Sequence, residues 1–481
     1  MKRPRNTKEW ILRKFYVGLT IDEERFRDLV TRSSRCKIAL IYPNSYSVAI
    51  ANLGYNRVFE IFTNSGIYVE RFVVEKEHLP IFSIDEGRRL DEFGIWAFSV
   101  HFELDLLNVA TLLGVYNIPL RPEERSEYHP LLICGGALTY FMGKTLTGIF
   151  DAVYCGDIEV GAEQLIAVLK EREGKEEILD GLSDVPGIAT FGRNVQVLPV
   201  IFHGKDTFAE SMFVSKKGAF GRRFLLEVGR GCKRRCRFCV AGHTMGKARF
   251  MDVDEVKGRL SRVKNRTRSV GLISATITDH PQLEELMGYL DEEEFDVSVS
   301  SMRLDGLTRG LLKVLAKTQK TFTIAPEGGT QKIRNRLGKG ITEKHIVEAF
   351  KLGHDAGFKN IKLYFIYGVP GETEEDLKGI VDLIKEARRF FGKVHVSVNP
   401  LIPKPGTPFE GTKMMDRKEL RERERYLKAS LRSSGIKVDF ESISNAIKQY
   451  ELCNASRESI VHMLAERSVN TIIHVKGGIT R

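Results

Sequence analysis

The chain has 481 residues, of which 42% are hydrophobic, and a formal net charge of +11 from 74 Lys and Arg against 63 Asp and Glu. This composition excludes an intrinsically disordered protein, and the length predicts roughly two to four domains with more than one sizeable core. Glycine and proline are spread along the sequence, which excludes a collagen-like or low-complexity protein.

The N-terminal sequence begins with basic residues but has no apolar stretch of the kind that a secretory signal needs. No apolar run approaches the roughly 18 residues of a membrane span. Seven cysteines are too few for a disulfide framework in a chain of this length. We therefore expect a cytoplasmic protein without a membrane span.

The basic net charge of the protein fits an RNA or phosphate-bearing partner. A solvated surface with surplus Lys and Arg is, however, the commoner explanation of such a charge.

The first part of the chain alternates between short apolar strands and amphipathic helices. Five such pairs follow one another, and this pattern predicts a doubly wound parallel sheet with helices on both faces. The predicted strands are 37–42, 67–74, 94–100, 131–134 and 152–155. Ligands of such sheets bind beyond the carboxyl ends of the strands. The residues at those ends are Asn44, Ser99, Gly135, Gly136 and Gly156.

A second alternating series follows a looser region rich in Gly and Pro. Its six βα units predict a partial (βα)6 barrel resembling a TIM barrel, with chemistry at the carboxyl ends of the strands. Its predicted strands are 224–228, 269–274, 296–301, 321–325, 360–365 and 394–398. The predicted organisation is an N-terminal helical extension at 1–35, the doubly wound domain at 36–175, a linker at 176–220, the barrel at 221–430 and a C-terminal extension at 431–481.

Three cysteines stand in a short loop after the first strand of the second series. Cys232, Cys236 and Cys239 have the spacing C-x3-C-x2-C, which lets three thiolates reach one metal site. Basic residues within the loop favour the thiolate form. Three ligands leave one iron of a four-iron cluster open for chemistry. The alternative is a closed zinc site, for which His243 would be the fourth ligand.

This loop, with Phe238 before its third cysteine and six βα units behind it, resembles the signature of radical S-adenosylmethionine (SAM) enzymes. The resemblance implies that Cys232, Cys236 and Cys239 hold a [4Fe-4S] cluster and that Phe238 packs near the adenine of SAM. It also implies an external electron donor such as flavodoxin or ferredoxin. Reduction would then cleave SAM into methionine and a 5′-deoxyadenosyl radical that abstracts hydrogen from a substrate.

The turns after the later strands extend the resemblance and imply contacts to SAM. The implied residues are Ser274, Ser301, Arg303, Glu327 and Gly368. Glu327 stands in a Glu-Gly-Gly turn and Gly368 in a Gly-Val-Pro-Gly-Glu-Thr turn, both similar to turns of one subgroup of the family. The family's Gly-Gly-Glu after the second strand is replaced here by Ser-Ala-Thr, beginning at Ser274. No residue is predicted as catalytic, and the substrate is not predicted.

The N-terminal region resembles the cobalamin-binding domain of a large class of radical SAM enzymes. The resemblance implies a corrinoid pocket at Asn44, Ser99, Gly135, Gly136 and Gly156. The Asp-x-His-x-x-Gly loop that supplies an axial histidine is absent from the sequence, so cobalamin binding stays open. With cobalamin the expected reaction is methyl transfer to an unactivated carbon or a radical rearrangement. Without it, we expect hydrogen abstraction with another outcome.

Two alternatives are weighed against this hypothesis. Methylthiotransferases, which modify tRNA or a ribosomal protein, join a similar core to an N-terminal domain with three cysteines. Here Cys134 and Cys155 lie at the carboxyl ends of their predicted strands whereas Cys36 precedes its strand, which predicts opposite edges of the sheet. The other alternative is a non-catalytic metal-binding module that docks RNA or a protein through basic segments such as 262–268 and 417–432. The oligomeric state is not predicted.

Overall fold

The computed structural model describes residues 7–27, 36–75, 78–193, 198–204, 208–300, 302–432 and 435–466. Two compact units are present. The N-terminal unit consists of Met1–Phe224 together with Ala455–Arg481, and the barrel unit consists of Leu225–Asn454. The chain therefore returns to its first unit after completing the second.

The N-terminal unit is built on a six-stranded sheet in the order β3-β2-β4-β5-β6-β7. Neighbours from β3 to β6 are parallel, and β7 is antiparallel to β6. The five parallel strands have the flavodoxin-like order, which confirms the predicted doubly wound sheet. The strands are β2 Lys37–Tyr42, β3 Tyr68–Val73, β4 Ile95–Ser99, β5 Leu131–Gly135, β6 Ala152–Tyr154 and β7 Ile188–Thr190. A separate ribbon pairs β1 Glu24–Arg25 with β8 Phe213–Val214.

Helices follow most of these strands. Their bounds are α1 Lys8–Gly18, α2 Tyr46–Ile50, α3 Leu53–Asn64, α4 Asp105–Val115, α5 Thr139–Leu146, α6 Ala162–Glu171 and α7 Lys175–Ser183, and residues 457–466 are also helical. α3 begins where the Asn52 side chain accepts a hydrogen bond from the Tyr55 amide at 2.9 Å. α7 begins next to the start of the segment 176–220 and β7 lies inside it, so about a quarter of the expected linker is helix or sheet strand.

The turn after β5 requires a glycine because another backbone segment passes close to it. Gly136 has a φ of +107°, and a Cβ atom there would lie 2.5 Å from the Val100 carbonyl oxygen. The adjacent Gly135 has no atom within 4 Å of the same position. Only the second glycine is therefore required by the packing of the turn.

The barrel unit contains two sheets, in the orders β13-β12-β9 and β14-β15-β16-β17. β12 is parallel to β13, and the four strands of the second sheet are mutually parallel. The strands are β9 Phe224–Glu227, β12 Ser269–Ile273, β13 Asp296–Val299, β14 Thr321–Glu327, β15 Asn360–Tyr367, β16 Lys393–Pro400 and β17 Ile436–Phe440, with a short antiparallel ribbon of β10 Gly229–Arg230 and β11 Arg249–Phe250. The predicted α/β class is confirmed, and β17 lies within the segment expected as a C-terminal extension.

Helices separate the strands of the barrel unit. Their bounds are α8 Ala241–Thr244, α9 Val253–Val263, α10 Leu283–Glu292, α11 Arg309–Ala316, α12 Gln331–Arg336, α13 Glu343–Asp355, α14 Glu374–Phe390, α15 Arg417–Ser430 and α16 Ile443–Cys453. α14 begins where Asp376 accepts the Thr373 amide at 2.9 Å, and acidic residues fill its first turn. Within the described ranges, no helix is both long enough and apolar enough to cross a membrane.

A buried carboxyl group holds the turn after β15. Gly368, with a φ of +75°, donates its amide to Glu372 at 2.8 Å, and Arg423 pairs with the same carboxyl at 3.1 Å. The Glu372 side chain is only 1% exposed. Burial raises the pKa of Glu372 to about 7, although the Gly368 amide and Arg423 both favour the ionised form.

Replacing Gly136 by Ala should destabilise the N-terminal unit. The new Cβ would meet the Val100 backbone, and the positive φ is unfavourable for alanine, so we expect a loss of about 2 kcal/mol in the free energy of unfolding. Gly135→Ala is the matched control and should unfold close to wild type. Urea unfolding monitored by circular dichroism measures both variants, and equal midpoints for the two would contradict this packing argument.

The pKa of Glu372 predicts a defined pH dependence of stability. Because the pKa in the folded protein, about 7, lies above the ordinary value of 4.5, the folded state holds an extra proton between these values. The protonated Glu372 carboxyl contributes its full stabilisation of the fold below pH 4.5, and this contribution is lost as the pH rises through 7. Relative to Glu372→Gln, wild type should therefore lose stability across this range. Thermal unfolding at several pH values measures the difference. The exposed Glu375→Gln should follow wild type, and parallel profiles for all three proteins would refute the shift.

Candidate active site

The three clustered cysteines lie in the loop between β10 and α8. Cys236 is buried, whereas Cys232 and Cys239 are partly exposed. Gly231 starts the loop with a φ of +75°, and a Cβ atom there would lie 2.6 Å from the Lys247 carbonyl oxygen. The Arg237 amide donates to the Leu337 carbonyl at 2.8 Å. The loop is thus held from two sides by backbone contacts.

The thiols are close enough to influence one another's ionisation. Burial raises the pKa of Cys232 and of Cys239, and the nearby Cys236 thiol raises both further. The Arg234 amide, which donates to the Cys232 sulfur at 3.4 Å, acts in the opposite direction. Three thiolates gathered in this way repel each other unless a cationic group lies between them. This donor set fits an iron-sulfur cluster with three protein ligands.

The zinc alternative would need His243 to join the three cysteines around one ion. Its Nε2 donates to the Cys236 carbonyl oxygen at 3.1 Å, so Nδ1 is the nitrogen left to bind a metal. Among the residues that the structure describes, no three Cys, His, Asp or Glu side chains converge tightly enough for a single ion. A four-iron cluster binds each thiolate at a different iron and needs no such convergence.

An ion pair attaches the cysteine loop to the turn after β12. Arg234 donates to both carboxylate oxygens of Asp279, at 2.6 and 2.9 Å, and Lys233 lies 3.3 Å from the same group. Burial would raise the pKa of Asp279, but the two cations hold it below its ordinary value. Sequence reasoning missed Asp279, because it follows Arg234 by 45 residues and no local spacing marks the pair.

Arg303 contacts a cysteine of the loop directly. Its guanidinium group forms a fork with Asp305 at 2.9 and 3.0 Å and donates to the Lys339 carbonyl at 2.6 Å. The remaining nitrogen, Nη1, lies 3.7 Å from the Cys236 sulfur. Asp305 also accepts a bond from Arg234 at 3.4 Å. Two arginines and two aspartates therefore form one network around the cysteine loop.

Glu327 adopts a backbone conformation that is uncommon for glutamate. Its φ is +68°, and the pairing of β14 with β15 shifts register between Ile324 and Glu327. The Glu327 carboxylate pairs with Lys339 Nζ at 3.0 Å in a largely buried position. The buried Arg334 donates to the carbonyls of Gly328 and Gly329 at 3.1 and 3.2 Å and so holds this turn. Such strained, over-determined turns are typical of functional sites.

Of the other residues that the resemblance assigns to SAM, Ser274 and Gly368 follow strands and Phe238 lies in the cysteine loop. Ser274 is buried and donates its amide to Ser300 Oγ at 3.0 Å. Its own hydroxyl lies 2.7 Å from the position that a Cβ of Gly229 would take. Phe238 packs against an apolar cluster that includes Ile366 and Val369, which flank the turn at Gly368. Ser301 lies outside the described residues.

In the N-terminal unit, side chains already occupy part of the edge where a corrinoid was predicted. Ser99 Oγ bonds to His101 Nε2 at 2.9 Å, and the His101 ring stacks on Tyr42 with centroids 5.6 Å apart. Burial lowers the pKa of His101 to about 4, so the ring is neutral at pH 7. Asn44 donates to Asp105 at 2.7 Å. These polar groups satisfy one another at the switch point between β2 and β4.

The glycines of this edge have different surroundings. A Cβ atom on Gly136 or on Gly156 would collide with the backbone of Val100 or Val200, respectively. Gly156 also pairs with Val200 in a β-bridge. Only Gly135 has open space in front of it. Two of the three predicted pocket glycines are therefore required by the packing of the chain itself.

Cys36 is separated from the other two cysteines of the N-terminal unit, as the sequence positions predict. Cys36 lines a cavity together with Gly94 and Pro130, which precede β4 and β5 at the amino edge of the sheet. Cys134 and Cys155 are buried at the other edge, where burial raises the pKa of both thiols. Within the described residues these three thiols form no common site. The three-cysteine arrangement of methylthiotransferases is not assembled here.

Comparisons with known proteins agree with both units. Residues 226–384 match the radical SAM superfamily, and residues 61–189 match the N-terminal region of radical SAM proteins. Over 419 residues the chain is 28% identical to the uncharacterized protein MJ0966 of Methanocaldococcus jannaschii, covering 86% of this chain and 87% of that protein. It is 25% identical to the threonylcarbamoyladenosine tRNA methylthiotransferase MtaB of Treponema pallidum, covering 57% of this chain and 58% of the relative.

Among solved structures, the chain shares its fold with OxsB, a cobalamin-dependent S-adenosylmethionine radical enzyme, seen with aqua-cobalamin and S-adenosylmethionine bound. The TM-score is 0.54 at 16% identity, covering 82% of this chain and 56% of OxsB. The chain thus spans little more than half the length of MtaB and of OxsB. The superfamily match contains the cysteine loop and the turns after β12 to β15. Residues 226–384 of this chain thus form a radical SAM superfamily domain, and enzymes of that superfamily use a [4Fe-4S] cluster, SAM and an electron donor.

Proposed function

We propose that this chain binds a [4Fe-4S] cluster through Cys232, Cys236 and Cys239 and cleaves SAM reductively. The observation that carries the proposal is the gathering of three thiols in a loop that Arg234 and Arg303 hold in place. When bound, the cluster and SAM supply a 5′-deoxyadenosyl radical that abstracts hydrogen from a substrate.

The chain's own residues prepare the site in two ways. Arg234, with its backbone amide on the Cys232 sulfur and its guanidinium on Asp279, fixes the loop before any ligand binds. Preorganised donors of this kind stabilise charge without the cost of reorganisation. Glu327 presents a carboxylate next to a tight Gly-Gly turn, which suits the hydroxyl groups of a ribose. We propose that Glu327, Phe238, Ser274 and Gly368 line the SAM site.

The proposed partner is an external one-electron donor such as flavodoxin or ferredoxin. Support comes from the superfamily, because its members need an electron donor. We propose a cytoplasmic location, where such donors and reduced thiols occur together.

RNA binding is a weaker proposal. It rests on the basic helix α15, where Arg417, Arg421 and Arg425 are interspersed with glutamates, and a solvated helix face has the same composition.

Cobalamin-dependent methyl transfer is the second candidate function. It is favoured by the parallel order of the N-terminal sheet and by the fold shared with OxsB. Gly135 has the open space that an approaching ligand needs, whereas the neighbouring glycines are used for packing. Methylthio transfer has less support, because Cys36 lies at the edge of the sheet opposite Cys134 and Cys155. We therefore propose a corrinoid at the carboxyl edge of the sheet, bound in front of Gly135.

The radical chemistry is tested by anaerobic reconstitution with iron and sulfide, followed by dithionite and SAM. Wild type should form 5′-deoxyadenosine, and the triple variant Cys232→Ala, Cys236→Ala, Cys239→Ala should form none, because the cluster has no ligands. Chromatography of the nucleoside product measures both. Cys453→Ala is the matched control, since this cysteine is buried in the same unit and lies outside the cysteine loop. No product from reconstituted wild type would refute the proposal.

The corrinoid proposal is tested by incubating the protein with hydroxocobalamin and removing unbound cofactor by gel filtration. Wild type should keep the visible absorbance of the corrinoid. Gly135→Phe should lose it, because a ring would fill the open space in front of β5. Gly94→Phe is the matched control, since Gly94 is equally open but precedes β4 at the amino edge. Elution of all corrinoid as a free small molecule from wild type would exclude this second candidate.

A further inference from the structure

Arg303 is surrounded in a way that the proposed contact with SAM does not explain. Its side chain is only 8% exposed, and its Nε and Nη2 atoms both bond to Asp305. The same Nη2 donates its second hydrogen to the Lys339 carbonyl. The Nε–Nη2 edge of a guanidinium can bind a carboxylate through two parallel hydrogen bonds. In Arg303 this edge already binds the carboxylate of Asp305, so it is not available to the carboxylate of SAM. Nη1, on the other side, faces the sulfur of Cys236.

We propose that Arg303 is a positioning residue that donates a hydrogen bond to the Cys236 sulfur and thereby raises the reduction potential of the bound cluster. This inference rests on the proposed function, because it requires a cluster on Cys236. It assigns Arg303 a role at the cluster in place of the contact with SAM that the family resemblance implies.

The physical reason lies in the charge that reduction adds. The external donor supplies one electron, which adds one negative charge to the cluster. A hydrogen bond to a ligating sulfur withdraws negative charge from the cluster, and burial strengthens this effect because little water screens it. Asp305 opposes part of the positive charge of Arg303 but also holds the guanidinium against Cys236. The reduction potential of the cluster therefore depends on a hydrogen-bond donor, Arg303, that the turn after β13 holds in a fixed position.

Three separate parts of the barrel unit converge on this guanidinium. Asp305 comes from the same turn as Arg303, the Lys339 carbonyl comes from the loop after α12, and Cys236 comes from the cysteine loop. Lys339 in turn pairs its side chain with Glu327. Arg303 thus links the sulfur of a cluster ligand to the turn proposed to bind ribose. A side chain fixed from three directions cannot swing away to another partner without breaking buried hydrogen bonds.

The test compares Arg303→Gln with Arg309→Gln, which removes the same charge from an exposed position on α11. Both proteins are reconstituted anaerobically without SAM, and their iron and sulfide contents are measured. The midpoint potential is then determined by redox titration followed by electron paramagnetic resonance. Arg303→Gln should hold a full cluster with a more negative potential, equivalent to about a tenfold weaker reduction equilibrium, or about 59 mV for one electron. Arg309→Gln should match wild type.

A spectroscopic signature separates the hydrogen bond from a general effect of charge. Resonance Raman bands of the iron–cysteine bonds should shift in wild type when exchangeable hydrogens are replaced by deuterium, and this shift should be smaller in Arg303→Gln. Arg303→Lys retains the charge but cannot reproduce the fork geometry. It should therefore also show the smaller deuterium shift.

The outcomes distinguish this inference from the proposed function. A wild-type protein that binds no cluster contradicts the proposed function itself. A wild-type potential in Arg303→Gln, together with weaker SAM binding, overturns this inference and restores the contact implied by the resemblance. Loss of the cluster from both Arg303→Gln and Arg303→Lys also overturns it, because the residue would then serve only to fold the loop.

Discussion

Two arginine–aspartate pairs hold the cysteine loop in place, and one of the two carboxylates contacts both arginines. Arg234 in the loop binds Asp279, Arg303 binds Asp305, and Asp305 also reaches Arg234. Charges in such largely buried positions are costly unless they are paired and hydrogen-bonded, so each arginine requires its aspartate. The pairs join the turns after β12 and β13 to the loop and surround the thiols with fixed charge. The folding of the loop and the electrostatics at Cys236 therefore rest on the same contacts.

Glycine turns in this chain serve two different purposes that a sequence motif does not separate. Gly136 and Gly156 are required because a neighbouring backbone passes too close for any side chain, whereas Gly135 faces open space. Similar close approach explains Gly231 at the start of the cysteine loop. A glycine turn at a strand end is therefore evidence for a ligand only after the surrounding backbone has been accounted for.

The fold shared with OxsB and the side chains at the edge of the N-terminal sheet give different kinds of information. The shared fold describes the course of the backbone. Binding depends on the groups at the carboxyl edge, where a neutral His101 lies between Ser99 and Tyr42. In sequence, a lone histidine beside a strand is usually structural, and its position at the switch point between β2 and β4 emerges only from the strand order.

By itself, the sequence determined the α/β class, the two alternating series and the C-x3-C-x2-C loop. These features depend on hydrophobic periodicity and short spacing, which are local properties of a chain. Tertiary structure alone decided that β17 joins the second sheet, that Asp279 binds Arg234 and that Arg303 reaches Cys236. The partners in these contacts come from separate strand ends, 45 and 67 residues apart for the two arginine contacts. No local pattern marks such pairs, because strand order and close packing determine which turns meet.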